Sequence, residues 1–201
     1  MRFYFSPVQF SVCALVCCLT VLLCGSSTLA NNKEKTKTVK ARSLELKVPS
    51  DWKETTPTSS MRAAQFSAPK SVDVVVFYFG GPTGGVAANV ERWIGQFKED
   101  GLETKMTQGK CTAGSYILID CKGTWNKPDG PPFAQKTIAA PNSQVLNVIV
   151  VEEKAGKPKD YYFLKVSGSA EAVGKQAKNV RTMIGADIEK EKEFKLEDAE
   201  K

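Results

Sequence analysis

Histidine is absent from the 201-residue sequence, and this limits the chemistry that the chain can perform. Catalytic triads with an imidazole base, histidine metal sites and imidazole proton shuttles are all excluded. An enzyme would have to use carboxylates, lysine or tyrosine. Asp120 is the one acid that we nominate, because it interrupts an apolar strand and burial raises the pKa of a carboxyl group. A charge on a solvated sheet face, beside Lys122, explains this residue equally well.

Cys111 and Cys121 are the two cysteines that lie beyond residue 30. In an exported protein they can form one disulfide, provided that their Cα atoms come within about 7 Å. A tight hairpin at residues 113–114 would instead place Cys111 opposite a residue near Tyr116, so both alternatives stay open. Two cysteines without any histidine do not complete a zinc site. We therefore expect neither a metal nor another cofactor.

A glycine-rich segment at residues 80–85 follows an apolar run and precedes an amphipathic one. Such a turn can hold a phosphate on free backbone N–H groups. However, the Gly-Lys-Ser/Thr ending of a Walker loop is missing, since Val86 follows the last glycine, and the spacing of a dinucleotide-binding loop is missing too. We interpret the segment as a tight turn between a strand and a helix.

The apolar run at residues 74–79 predicts a central strand that is covered on both faces, because it shows no alternation with polar residues. The next segment predicts a helix, and Ser169 is placed to cap a second, closing helix. The remaining patterns predict strands at 43–48, 61–68, 103–110, 116–125, 145–151 and 161–167. The expected fold class is therefore α+β, a mainly antiparallel sheet with two packed helices.

The N-terminus has the features of a secretory signal peptide at residues 1–30, with an apolar segment followed by small residues at Thr28 and Ala30. A lipoprotein anchored at Cys24 is the alternative. Polar residues 31–42 suggest a flexible linker. We expect one domain at residues 43–188 and a charged tail at residues 189–201, which is either a fraying end or disordered.

The chain carries 28 Lys and Arg residues against 22 Asp and Glu residues, a formal net charge of +6. The lysines are scattered and do not interleave with aromatic residues, so we expect no nucleic-acid partner. Membrane contact would require lipidation at Cys24 or attraction by this surface charge.

The order of these elements resembles that of small secreted bacterial proteins of unassigned function that have a PsbP-like α/β/α sandwich. The resemblance covers residues 43–186 and depends on the segments 44–52, 61–68, 74–79 and 93–97. Its local phrases are Val-Pro-x-x-Trp and Arg-Trp-Ile-Gly-Gln-Phe. Members of the wider fold look like noncatalytic accessory or binding subunits, so the resemblance implies protein contact and carries over no catalytic residue.

These observations predict an exported, noncatalytic binding or assembly module whose partner is another extracytoplasmic protein. The expected contact residues are Trp125, Asp129 and Phe133, together with Trp52, because loop-borne aromatic residues often anchor interfaces. The alternative for Trp52 and Trp125 is that they cap the ends of the sheet. Two further functions are a carboxylate-based hydrolase that uses Asp120, and association with a membrane or an anionic wall polymer.

Overall fold

The computed structural model describes residues 35–81, 84–130 and 135–197. Its two α-helices are α1 (Val86–Ile94) and α2 (Ala170–Ile184). Short 3-10 helices lie at Pro69–Ser71 and Ile188–Lys190. The strands are β1 (Thr36–Ala41), β2 (Leu44–Pro49), β3 (Lys53–Glu54), β4 (Arg62–Ala68), β5 (Val72–Tyr78), β6 (Glu103–Cys111), β7 (Gly114–Pro128), β8 (Thr137–Lys154), β9 (Lys157–Ser169) and β10 (Lys192–Glu193).

Eight of the strands in the described residues form one sheet in the order β10-β6-β7-β8-β9-β5-β4-β3. Every neighbouring pair in this sheet is antiparallel. Strands β1 and β2 form a separate antiparallel hairpin. A mainly antiparallel sheet with two helices belongs to the α+β class, so this part of the sequence-based prediction is confirmed.

Both faces of the sheet are covered, because successive side chains of a strand point to opposite faces. Leu118, Leu146 and Leu164 pack on one face with α2 and the β1–β2 hairpin. Ile119, Ile149 and neighbouring apolar residues pack on the other face with α1. We call these the α2 face and the α1 face. Each strand at the centre of the sheet therefore has two buried sides.

Strand β5 is the buried strand that the apolar run predicted. It lies between β9 and β4, and Val74 and Val76 are fully buried on the α2 face. Phe77 is partly buried on the α1 face. The strand ends at Tyr78, and Phe79 beyond it is 43% exposed. The side chains of this strand therefore contribute to the apolar clusters on both faces of the sheet.

Helix α2 begins and ends with capping interactions that its sequence favours. The Ser169 hydroxyl accepts a hydrogen bond from the backbone N–H of Ala172 at 3.3 Å, as predicted. At the other end Gly185 adopts a left-handed conformation with φ of 66°. The helix therefore ends at Ile184, and Ile188 lies outside it in a 3-10 turn.

The expectation of a flexible linker at residues 31–42 is wrong for β1, although residues 31–34 lie outside the described part. Strand β1 pairs along its length with β2, and Ala41 is fully buried. Thr36, Thr38 and Lys40 are exposed, and they alternate with the less exposed residues Lys37, Val39 and Ala41. The polar composition therefore reflects one exposed side of a strand.

The expectation of a disordered tail at residues 189–201 is also wrong as far as residue 197. Strand β10 pairs with β6 and extends the sheet by one strand. Phe194 is 2% exposed, and its backbone N–H donates to the carbonyl of Met106 at 3.0 Å. This C-terminal segment is therefore part of the folded domain.

Other predictions fall on residues outside the described part. They include the signal peptide at residues 1–30, its alternative lipid anchor at Cys24, and Phe133. Among the helices that are described, none combines the length and the apolar character needed to cross a membrane.

Candidate functional site

A pocket of about 410 Å³ lies on the α1 face, between α1 and strands β5, β8 and β9. Its apolar wall is aromatic and consists of Phe77, Phe79, Trp93 and Phe163. Its polar lining comes from three elements: α1 contributes Asn89 and Arg92 with Gln96 just beyond its end, β8 contributes Asn147, and β9 contributes Lys165.

The register of the sheet brings the polar residues of β8 and β9 side by side. Asn147 pairs with Lys165, and Lys165 pairs in turn with Val75 on β5. Both polar side chains therefore lie on the α1 face, in the same rows as Ile149 and Phe163. Helix α1 covers part of this face through Val90 and Trp93, and the pocket lies beside it.

Lys165 is the cation at the base of this pocket. Its ammonium group donates a hydrogen bond to Gln96 Oε1 at 3.0 Å and lies 4.6 Å from the centroid of the Trp125 ring. The indole N–H of Trp125 donates to the same Gln96 oxygen at 3.4 Å. Burial lowers the pKa of Lys165 to about 8, although the charge of Asp73 acts in the opposite direction. Lys165 is therefore a desolvated amine that is largely protonated at neutral pH.

Arg92 supplies a second cation at the edge of the pocket. One of its nitrogens donates to Asn89 Oδ1, and Asn89 Nδ2 donates to the carbonyl of Gly85 at 2.6 Å. This chain of hydrogen bonds orients the guanidinium group along α1. Arg92 is also close enough to Lys165 for its charge to lower the pKa of the ammonium group.

Asn147 contributes a hydrogen-bond donor that has no partner among the described residues. The residue is 2% exposed, and its Nδ2 atom forms no hydrogen bond with them. A buried donor without a partner destabilises a fold by about 1–3 kcal/mol. Asn147 is among the residues that line the pocket, so this donor lies next to the space that a ligand with an acceptor would occupy.

The polar lining of the pocket consists of cations and side-chain amides. Among the described residues that line it, the charged ones are Arg92 and Lys165, and none is a carboxylate. Lysine, arginine and asparagine N–H groups are hydrogen-bond donors. Within the described ranges, no cluster of three or more cysteine, aspartate or glutamate residues is placed to hold a metal ion.

Asp120, the acid nominated from the sequence, lies on the opposite face of the sheet from this pocket. It alternates with Ile119, shares the α2 face with Leu118 and is half-buried. Gln144 Nε2 donates to its carboxylate at 2.7 Å. Burial raises its pKa, and the Gln144 hydrogen bond and the charge of Arg181 oppose this rise. The expected direction of the shift is correct, but its strongest charged neighbours are cations and not a second acid.

Cys111 and Cys121 are not joined by a disulfide, and both thiols are free. Cys111 pairs with Gly114 at the turn of the β6–β7 hairpin, whereas Cys121 lies seven residues further along β7 and pairs with Thr104. Strands rise about 3.3 Å per residue, so the two cysteines are too far apart to be bridged. Of the two alternatives, the hairpin without a disulfide is the one that the structure shows.

We expect a reducing agent to leave the melting temperature of the protein unchanged, because the two cysteines of the described residues, Cys111 and Cys121, form no disulfide. Cys121 is fully buried, and burial raises the pKa of its thiol to about 11, so it should react with an alkylating reagent only after unfolding. Thiol titration with and without denaturant measures this difference. A melting temperature that falls on reduction would contradict the free-thiol assignment.

The predicted contact residues are not gathered into one exposed surface. Trp52 and Trp125 are 1% and 6% exposed, so the packing alternative is correct for both rings. Asp129 is half-buried and forms an ion pair with Lys136 at 2.5 Å, at the end of the paired β7 and β8 strands. Phe133 lies outside the described residues.

Asn147 and Lys165 are not among the residues predicted from the sequence, although a signal for them is present. Each is a polar residue that interrupts an apolar strand pattern, at 145–151 and 161–167. The same signal singled out Asp120, because a carboxylate is the more familiar catalytic group. Nothing in the sequence alone singles out Arg92, because only the packing of the helix places it in the same pocket lining as Lys165.

Comparisons with known proteins do not add to this description of an α+β domain with a donor-lined pocket. No family model matches the chain, and no curated protein is significantly similar to it.

Proposed function

We propose that this chain is an exported, noncatalytic binding module with a PsbP-like α/β/α sandwich, and that the pocket beside α1 is its ligand-binding site. The observation that carries the proposal is the combination of an aromatic wall with the unpartnered amide of Asn147 and the desolvated ammonium group of Lys165. Ligand sites are typically concave and mostly apolar, with a few polar groups that orient the ligand.

The carboxylate-based hydrolase receives less support from the same geometry. Glycoside hydrolysis generally requires two carboxyl groups that flank the scissile bond. None of the described residues that line the pocket is a carboxylate, and Asp120 lies on the other face of the sheet. A hydrolase would need a pair of carboxyl groups that the described pocket residues do not provide. A binding role needs only the groups that are present.

A fragment screen by two-dimensional amide NMR tests the proposal, with protein that lacks residues 1–30. We expect binding fragments to shift the side-chain amide resonances of Asn147 and Gln96. Asn147→Leu is the informative variant, because it removes an unpaired buried donor and should fold at least as stably as the wild type. In Asn147→Leu the fragments should no longer shift the amide resonances of Gln96. Fragments that perturb only residues outside the pocket, or that bind Asn147→Leu equally well, would contradict this site.

Lys165→Met is expected to maintain or raise the free energy of unfolding at neutral pH. Methionine keeps an apolar side chain over the Trp125 ring and removes a desolvated cation, and Gln96 Oε1 still accepts from Trp125. Denaturant unfolding of both proteins measures the difference. A clear loss of stability would show that the ammonium group is a structural requirement.

The same pair of proteins should differ in the pH dependence of stability. The pKa of Lys165 is about 8 in the folded protein, against an ordinary value of 10.5. Between these two pH values the unfolded state binds more protons, so the stability of the wild type should rise with pH relative to Lys165→Met, by roughly 1–3 kcal/mol in total. Below about pH 8 the difference should be constant. Parallel pH profiles across this window would contradict the lowered pKa.

A further inference from the structure

We propose that the pocket beside α1 binds a monoanionic carboxylate that is attached to an aromatic or short aliphatic body. This inference rests on the proposed function and adds the chemical class of the ligand. The carboxylate would lie among Asn147, Lys165 and Arg92, and the apolar body would lie against the aromatic wall.

The charges of the pocket favour an anion. In the part of the chain that the structure describes, neither Arg92 nor Lys165 forms an ion pair with a carboxylate, although their charges act on each other. Two cations that share a partly desolvated site repel each other. An anion placed between them would offset this repulsion with two attractive interactions.

The hydrogen-bonding groups of the pocket favour an acceptor-only head group. Asn147 Nδ2 has no partner, the Lys165 ammonium group uses one donor on Gln96, and the Arg92 guanidinium group uses one on Asn89. Each of the two cations retains further N–H groups, since an ammonium group has three and a guanidinium group has five. A carboxylate accepts hydrogen bonds through two oxygens and donates none, so its oxygens match this set of donors.

The aromatic wall favours an apolar body. The rings of Phe77 and Phe79 are stacked with their centroids 6.1 Å apart, and Phe163 meets Phe79 edge-on at 5.6 Å. Trp93 contacts the other side of Phe163, with a centroid distance of 6.3 Å. Phe79 is 43% exposed, so a ligand that entered the pocket would cover apolar surface that is now in water.

A single negative charge fits better than two. The cations that line the pocket are Arg92 and Lys165, and the charge of Asp73 acts against the effect of burial on Lys165. A doubly charged phosphate would bring a second negative charge close to Asp73. We therefore expect the pocket to bind carboxylates more tightly than phosphate esters.

Isothermal titration calorimetry with matched probes tests the inference. The probes are phenylacetate and octanoate as carboxylates, phenylacetamide as the neutral analogue, benzylamine as a cation and phenyl phosphate as a dianion. At neutral pH we expect the carboxylates to bind at least about tenfold more tightly than each of the other three probes. Asn147→Leu and Lys165→Met should each weaken carboxylate binding by about tenfold or more.

Lys122→Met is the matched control, because Lys122 is exposed and its ion pair with Glu103 lies on the β6–β7 hairpin. It should bind the carboxylates as tightly as the wild type. Equal binding of phenylacetate and phenylacetamide would overturn the anion inference, but it would leave the proposed function intact if Asn147→Leu abolished both. Tighter binding of the amine or the phosphate, or no binding of either carboxylate, would also overturn it. Binding of no fragment at the pocket in the NMR screen would overturn the proposed function itself.

Discussion

Glu191→Gln is expected to lower the free energy of unfolding by about 3 kcal/mol at neutral pH, the largest effect of a single charge change in this protein. Glu191 forms a two-point ion pair with Arg181 of α2, with distances of 2.7 Å and 2.8 Å, and both side chains are more than four-fifths buried. The Tyr116 hydroxyl donates to the same carboxylate. The variant would leave the Arg181 charge without its partner in a partly buried site, and such a loss is strongly destabilising.

The same ion pair predicts an acid-dependent loss of stability. Burial by itself raises the pKa of Glu191, but the hydrogen bonds from Arg181 and Tyr116 outweigh it and hold the pKa at about 2, against an ordinary value of 4.5. Because the folded-state pKa is lowered, the stabilisation is fully present above about pH 4.5 and is lost as the pH falls through about 2. The stabilities of the wild type and of Glu191→Gln should therefore converge across this window.

Denaturant titrations at a series of pH values measure both effects. Glu189→Gln is the control, because Glu189 is an exposed residue of the same segment, and its free energy of unfolding should stay within about 0.5 kcal/mol of the wild type. Hydrogen exchange should show the amide of Phe194 losing protection in Glu191→Gln. If Glu191→Gln were as stable as Glu189→Gln, the ion pair would not hold the C-terminal segment on the sheet.

Trp52→Ala is expected to lower the free energy of unfolding by about 3–5 kcal/mol, as truncation of a large buried ring does. Trp52 is 1% exposed and packs near Phe66, with ring centroids 6.4 Å apart. Its indole N–H donates to Gln176 Oε1 of α2 at 3.2 Å. The ring therefore joins the segment after β2 to both the sheet and the closing helix.

Trp52→Phe is the matched control for this substitution. It keeps an aromatic ring and loses the hydrogen bond to Gln176, whose oxygen still accepts from Asn179 at 3.0 Å. We expect it to lose less than half as much stability as Trp52→Ala. Thermal and denaturant unfolding measure the series. An unchanged melting temperature in Trp52→Ala would contradict the core assignment and would indicate that Trp52 is a surface contact residue.

The elements that could be predicted are those whose pattern is local. The run that became β5 is apolar without alternation, and the Ser169 cap and the apolar stripe of α2 are also short-range signals. Strand β1 was misassigned because its exposed side is rich in lysine and threonine, a composition that solvated linkers share. Its pairing with β2 is a contact that composition alone does not report.

The C-terminal segment was misassigned for a related reason. Its charged residues suggested a solvated tail. However, Glu191 forms an ion pair with Arg181, and Phe194 is buried on the α1 face of the sheet. Both interactions join residues that are distant along the chain or lie on different elements. A charged residue is expected to be exposed to solvent when its partner is unknown. The sequence therefore favoured the wrong interpretation of this segment.

The sequence by itself determined the α+β class, the central buried strand and the exclusion of imidazole chemistry, because residue type and short-range periodicity decide these properties. Only the tertiary structure decided where the polar residues of the pocket come together. The antiparallel register of β8 and β9 sets Asn147 beside Lys165, and the packing of α1 adds Arg92. These three residues come from separate elements, and their proximity depends on the pairing of strands and the seating of a helix, which no local pattern encodes.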